Sequence, residues 1–66
     1  MELISKTVGH GCNVERYGSN GKTATLVVYT SGTHECHFDV INAKGDCRKG
    51  INTRALAMTI AQEMAA

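Results

Sequence analysis

The chain has 66 residues, a formal net charge of +1 with neutral histidines, 20% charged residues and no proline. That length supports one domain, which buries only about 60% of the surface its unfolded chain exposes, and the balanced charge excludes a strongly basic nucleic-acid tail. No apolar run approaches the roughly 18 residues of a membrane-spanning helix. The start Met1-Glu2-Leu3-Ile4-Ser5-Lys6 has neither the basic nor the long apolar stretch of an export signal, so a cytoplasmic location is expected.

In chain order, residues 1–11 read as an extended N-terminal segment, Leu3 to Val8, that breaks at Gly9-His10-Gly11. Residues 12–42 read as a three-stranded antiparallel meander. Its strands are Cys12 to Tyr17, Lys22 to Thr30 and His34 to Asn42, separated by Gly18-Ser19-Asn20-Gly21 and Ser31-Gly32-Thr33. Strict alternation of Ala24, Leu26, Val28 and of Cys36, Phe38, Val40 gives the meander one buried face. Residues 43–51 read as a basic loop. Residues 52–65 read as a helix capped by Asn52 or Thr53, with Leu56, Ala57, Ile60, Ala61 and Met64 on the face turned to the sheet. The expected fold is therefore α+β, with one helix packed on one face of the meander and Leu26, Phe38 and Ile60 meeting in the core.

Three-residue loops at Ser19-Asn20-Gly21 and Ser31-Gly32-Thr33 would set Val14 opposite Leu26, Phe38 opposite Leu26, and both Cys12 and Cys36 opposite Val28. With a strand between them the two cysteines stand roughly 10 Å apart, beyond the about 7 Å that a disulfide permits between Cα atoms. Cys12, Cys36 and Cys47 are an odd number without short paired spacing, consistent with reduced thiols. His10-x-Cys12 and His34-x-Cys36-His37 carry zinc-ligand chemistry, but tetrahedral coordination needs four donors converging at about 2.0 to 2.3 Å. The same register holds the cysteines apart as small buried hydrophobes, so no metal or other cofactor is expected.

Charge separates two candidate surfaces. The outward face of the meander would hold Asn13, Glu15, Tyr17, Thr23, Thr25, Val27, Tyr29, Glu35, His37, Asp39 and Ile41. Its acidic, tyrosine-bearing part, Glu15, Tyr17, Tyr29, Glu35, His37 and Asp39, is the candidate partner-binding set, because tyrosine is enriched at recognition surfaces. Lys44, Arg48, Lys49 and Arg54 cluster where the chain enters the helix, whose free N–H groups favour an anion. They form the candidate nucleic-acid set.

Three functions follow as expectations. The first is a non-enzymatic interaction or inhibitor protein that presents the acidic sheet to a larger protein or nucleoprotein complex. The second is a nucleic-acid-binding module, and the third is a structural protein that pairs its exposed edges with further copies. No catalytic constellation is visible, so an enzyme is not expected. The segment from Asn42 through Lys44-Gly45-Asp46 to Ala66, a strand end, a basic glycine loop and an alanine-rich helix, resembles the closing third of a double-stranded RNA-binding domain. That resemblance implies phosphate contacts by Lys44, Arg48, Lys49 and Arg54. Over the whole length, the size and the strand-strand-strand-helix order are similar to small phage-encoded inhibitors such as anti-CRISPR proteins. This second resemblance implies action without catalysis, by occupying a nucleic-acid or partner site.

Overall fold

Apolar and polar side chains alternate over Lys22–Ser31 and His34–Asn42, and backbone pairing on either side extends this pair to five strands where the sequence suggests three. The computed structural model describes residues 1–66. The strands are β1 (Glu2–Val8), β2 (Cys12–Ser19), β3 (Lys22–Ser31), β4 (His34–Asn42) and β5 (Cys47–Ile51), followed by the helix α1 (Arg54–Met64). They form one antiparallel sheet in the order β1-β2-β3-β4-β5. The N-terminal segment is thus a full edge strand. The expected basic loop at 43–51 is, from Cys47 onward, the opposite edge strand.

The helix begins later than the expected residue 52, because Thr53 is the cap and its Oγ1 accepts the Leu56 N–H at 3.2 Å. It lies over β3, β4 and β5 and leaves β1 and β2 uncovered. Ala24, Leu26 and Val28 from β3, Phe38 and Val40 from β4, Ile51 from β5 and Ala57, Ile60 and Ala61 from the helix form the core. The expected meeting of Leu26, Phe38 and Ile60 is borne out. Leu56 is a correction: it sits at the margin of the apolar helix face and is 52% exposed.

The register between β2 and β3 differs from expectation by one residue. Ser19 pairs with Lys22, so the turn contains only Asn20 and Gly21, with φ of 54° and 78°. Two consecutive positive-φ residues are what a type I′ hairpin turn requires, and Asn-Gly is its preferred pair. Because side chains alternate with a period of two, this slip exchanges every residue of β2 between faces. Glu15, not Val14, stands opposite Leu26, and Cys12 stands opposite Tyr29 instead of Val28.

Between β3 and β4 the loop also contains two residues, since Ser31 pairs with His34. A bulge then restores the expected face. Thr30 pairs with Glu35 but Tyr29 with His37, leaving Cys36 as the extra residue. Phe38 and Val40 reach the core face as expected, but Phe38 pairs with Val28 and Val40 with Leu26, two residues from the expected register, and Cys36 is exposed instead of lying opposite Val28.

Asn42 joins the helix end to the sheet. Its Oδ1 accepts the backbone N–H groups of Lys44 and Asp46 at 3.0 and 2.9 Å, and its Nδ2 donates to the Met64 carbonyl at 2.8 Å. One buried side chain therefore closes the β4–β5 turn and satisfies a carbonyl at the C-terminal end of α1, where no intrahelical donor remains. Nearby, Ala66 exchanges two backbone hydrogen bonds with Thr23, at a position on β3 that lies beyond the end of β4.

Phe38→Ala should cost about 3 to 5 kcal/mol through the cavity it leaves, and Asn42→Ala about 1 to 3 kcal/mol through buried groups left without partners. Urea unfolding monitored by circular dichroism checks both. An Asn42→Ala midpoint equal to that of the parent protein would remove Asn42 from this role.

Candidate binding surface

The observed register and the Cys36 bulge act together on the two carboxylates expected to face outward. The one-residue slip turns Glu15 and Tyr17 toward the helix side of the sheet, and the bulge does the same to Glu35. Asn13 follows Glu15 onto that side. There the guanidinium of Arg54, on the first residue of α1, binds both carboxylates as two forks. Its Nη1 and Nη2 donate to Glu15 Oε1 and Oε2 at 2.9 and 3.0 Å, and its Nε and Nη2 donate to Glu35 Oε1 and Oε2 at 2.9 and 2.6 Å. Bidentate, charge-assisted bonds of this kind are the strong class. The guanidinium carbon also lies 5.7 Å from the centre of the Phe38 ring, within cation–π range.

Glu15 is only 3% exposed, and Tyr17 Oη donates to its Oε1 at 2.5 Å. The hydrogen bonds from Arg54 outweigh burial and hold the Glu15 carboxyl down at about 2. The same guanidinium lowers Glu35. Tyr17 is raised, first by burial and then by its bond to Glu15. Glu15, Tyr17 and Glu35 therefore gather as a clamp around Arg54 on the helix side of the sheet, apart from the rest of the candidate partner-binding set, with Glu15 buried and Glu35 exposed. Arg54, engaged by both carboxylates, leaves the candidate nucleic-acid set. Two carboxylates beside the first turn of α1 also cancel the attraction of that helix end for an anion.

The remaining basic candidates do not converge. Lys44 lies in the β4–β5 turn, and Arg48 and Lys49 lie on the edge strand β5. The only ion pairs in the protein are those of Arg54, so Lys6, Arg16, Lys22, Lys44, Arg48 and Lys49 are all without a carboxylate partner.

What persists of the acidic face is Tyr29, His37 and Asp39, on the side of the sheet that no element covers. The Tyr29 and His37 rings stack with centroids 4.4 Å apart and planes 15° from parallel. Tyr29 Oη donates to Asp39 Oδ2 at 3.0 Å, and this bond raises the Tyr29 pKa. The Gly50 N–H donates to the other oxygen, Oδ1, at 3.1 Å. Three rows cross the open face: Cys12, Tyr29 and His37; then Val14, Val27 and Asp39; then Arg16, Thr25, Ile41 and Cys47. Val14 and Val27 are half-buried and Ile41 is 38% exposed. Ile4, from the β1 bulge, lies over Gly18, where a Cβ would fall 2.6 Å from its Cδ1. Cys12, Val14 and Arg16 are the β2 members of this face, which the expected register turned to the opposite side. The Asn-Gly turn was the signal that could have found them.

The cysteines are all free. No group of three or more histidine, cysteine, aspartate or glutamate side chains is close enough to hold a metal ion. The two surface clefts share Ser19, Asn20 and Lys22 at the β2–β3 turn, at the end of the sheet away from Tyr29 and His37. No helix is long and apolar enough to cross a membrane.

Because folding lowers the Glu15 pKa from 4.5 to about 2, the clamp contributes fully above pH about 4.5 and is lost as pH falls toward 2. Glu15→Gln should flatten that acid limb in unfolding experiments run as a function of pH. Arg54→Met should destabilise by about 3 to 5 kcal/mol by leaving Glu15 buried without its partner. Adding Glu15→Leu to that variant should recover most of the loss. An unchanged acid limb in Glu15→Gln would show that the clamp does not set acid stability.

No protein-family model, curated protein or solved structure matches the chain, so the candidate surface stands on its geometry.

Proposed function

We propose that this protein is a non-enzymatic binding module that engages a larger protein through the open face of its sheet. The observation that carries the reading is the Tyr29–His37–Asp39 group, braced by ring stacking and a hydrogen bond, beside Val14, Val27 and Ile41 on a face that nothing covers. An aromatic and aliphatic centre with polar groups around it has the anatomy of a protein interface. The rings are held before a partner arrives, which lowers the ordering cost of binding.

Two features support this reading over the others. Each ring spends one face on the other, so the pair offers less of the flat platform on which single-stranded nucleic acid stacks its bases. Both sheet edges are also guarded against strand pairing. β1 carries a bulge at Ile4 and the charge of Lys6, and β5 carries a bulge opposite Asp39 with Arg48 and Lys49 beside it. The nucleic-acid reading keeps one observation in its favour, the six basic side chains without carboxylate partners. In the form that agrees with the resemblance to phage-encoded inhibitors, the module acts stoichiometrically on a host protein or nucleoprotein complex, in a reducing cytoplasm that suits three free cysteines.

The test is capture of partners from a host lysate, with and without nuclease. Tyr29→Ala combined with His37→Ala should weaken capture by about tenfold or more, as loss of a central aromatic anchor does. Lys44→Ala combined with Arg48→Ala should leave it unchanged. Capture that disappears with nuclease and with the Lys44 and Arg48 substitutions would replace this reading with the nucleic-acid one.

A further inference from the structure

The charges on the open face follow a pattern across the five strands. On β1 it carries Glu2, which pairs in register with Gly18, and on β2 it carries Arg16. On β3 it carries only uncharged side chains, among them Thr25, Val27 and Tyr29. On β4 it carries Asp39, and on β5 alternation from Cys47 brings Lys49 to the same side. The order is negative, positive, neutral, negative, positive. Reversing the strand order about β3 converts every charge into its opposite.

From this we propose that the open face binds a second copy of the same chain, face to face about a two-fold axis running along β3. The inference rests on the reading of this face as the binding surface. A two-fold interface is isologous, so each contact must occur twice with the roles exchanged. Here Arg16 of one copy faces Asp39 of the other and the reverse, while Glu2 and Lys49 lie on facing rims but two rows, roughly 14 Å, apart along the strands, so the Arg16–Asp39 pair carries the contact. Arg16 and Asp39 are offset along the strands by one row, roughly 7 Å. The length of an arginine side chain spans that offset. Val27 and Thr25 then lie near the axis, and the half-buried Val14 joins them in the centre.

Area agrees with charge. The molecule measures 34 × 20 × 19 Å, its long axis matching the ten-residue strand β3. A face of 34 by 20 Å offers roughly 700 Å² per copy, close to the about 800 Å² per partner of a standard interface. The guarded edges favour a face over an edge for a second copy, and pairing of the open face covers Ile4, Val14, Val27 and Ile41. Dimer formation and capture of a larger partner then exclude each other.

Sedimentation of the purified protein tests the proposal. The parent chain should pass from monomer to dimer with rising concentration, and salt should weaken the dimer by screening. Arg16→Glu makes β2 and β4 both acidic, and Asp39→Lys makes them both basic. Each alone should raise the dissociation constant by about tenfold or more, while their equimolar mixture should form a heterodimer. If circular dichroism shows Asp39→Lys to be unfolded, Arg16→Glu carries the test alone, because Arg16 makes no ion pair within its own chain. A parent chain that stays monomeric up to about 1 mM, or single variants that dimerise like the parent, would overturn the second-copy proposal. Lysate capture that still depends on Tyr29 and His37 would then leave the partner-binding reading intact.

Discussion

The two forks of Arg54 are the interaction on which the rest of the structure depends. One guanidinium on the first residue of the helix ties β2 through Glu15 and β4 through Glu35, and rests over the Phe38 ring of the core. The helix backbone itself packs on β3, β4 and β5. Arg54 is therefore the side chain that extends its hold to the other half of the sheet. The two carboxylates differ in worth. Glu15 is buried, so its charge has no alternative solvation and the pair is costly to break. Glu35 is exposed, and an exposed ion pair contributes little by itself. Its value is geometric, since it occupies the remaining donors of the guanidinium and holds the fork in the plane that Glu15 needs.

This arrangement decides the electrostatic character of the surface. Two of the six acidic residues and one of the seven basic residues are withdrawn into the clamp. Asp39 and Asp46 are further engaged by hydrogen bonds from Tyr29, Gly50 and Asn42. Six basic side chains keep no carboxylate partner: Lys6, Arg48 and Lys49 on the two edge strands, Lys22 and Lys44 at the turns, and Arg16 on the interior strand β2. Lys6, Arg48 and Lys49 sit where a sheet most needs protection, on edge strands with unpaired backbone groups. A dispersed basic perimeter of this kind keeps edges apart, and it frees the uncovered face to act as the recognition surface.

That face joins rigid and adaptable parts. Tyr29 is fixed by His37 on one side of its ring and by Asp39 at its hydroxyl, and Asp39 is in turn fixed by the Gly50 N–H at the β5 bulge. The bulge that guards the edge also orients the carboxylate that orients the ring. Arg16 and Lys49, in contrast, are long side chains free of ion pairs. They suit the role of adjustable charges around a pre-formed centre, whether the partner is a second copy or another protein.

The sequence by itself determined the antiparallel class, the single helix and its side of the sheet, because period-two and period-3.6 patterns are local and each residue reports its own face. It determined the β3 core, Phe38 and Val40 of β4, a helix cap at Asn52 or Thr53, and the outward placement of Tyr29, His37, Asp39 and Ile41, but not the exposure of Cys36. The faces of β2 and of Glu35 were decided in three dimensions. Val14-Glu15-Arg16-Tyr17 alternates apolar with charged in one register and tyrosine with charge in the other, so β2 has no unambiguous apolar side. Its register followed from the turn, where Asn20-Gly21 fits the two-residue geometry, and from a buried partner 39 residues away that makes Glu15 acceptable inside. The edge strands were likewise beyond local reading. β1 and β5 take their order from backbone pairing with β2 and β4 rather than from any face they bury, since all but Ile51 among their residues remain exposed. Where pattern alone leaves two faces equivalent, a long-range hydrogen-bonded pair and the handedness of one turn make the choice.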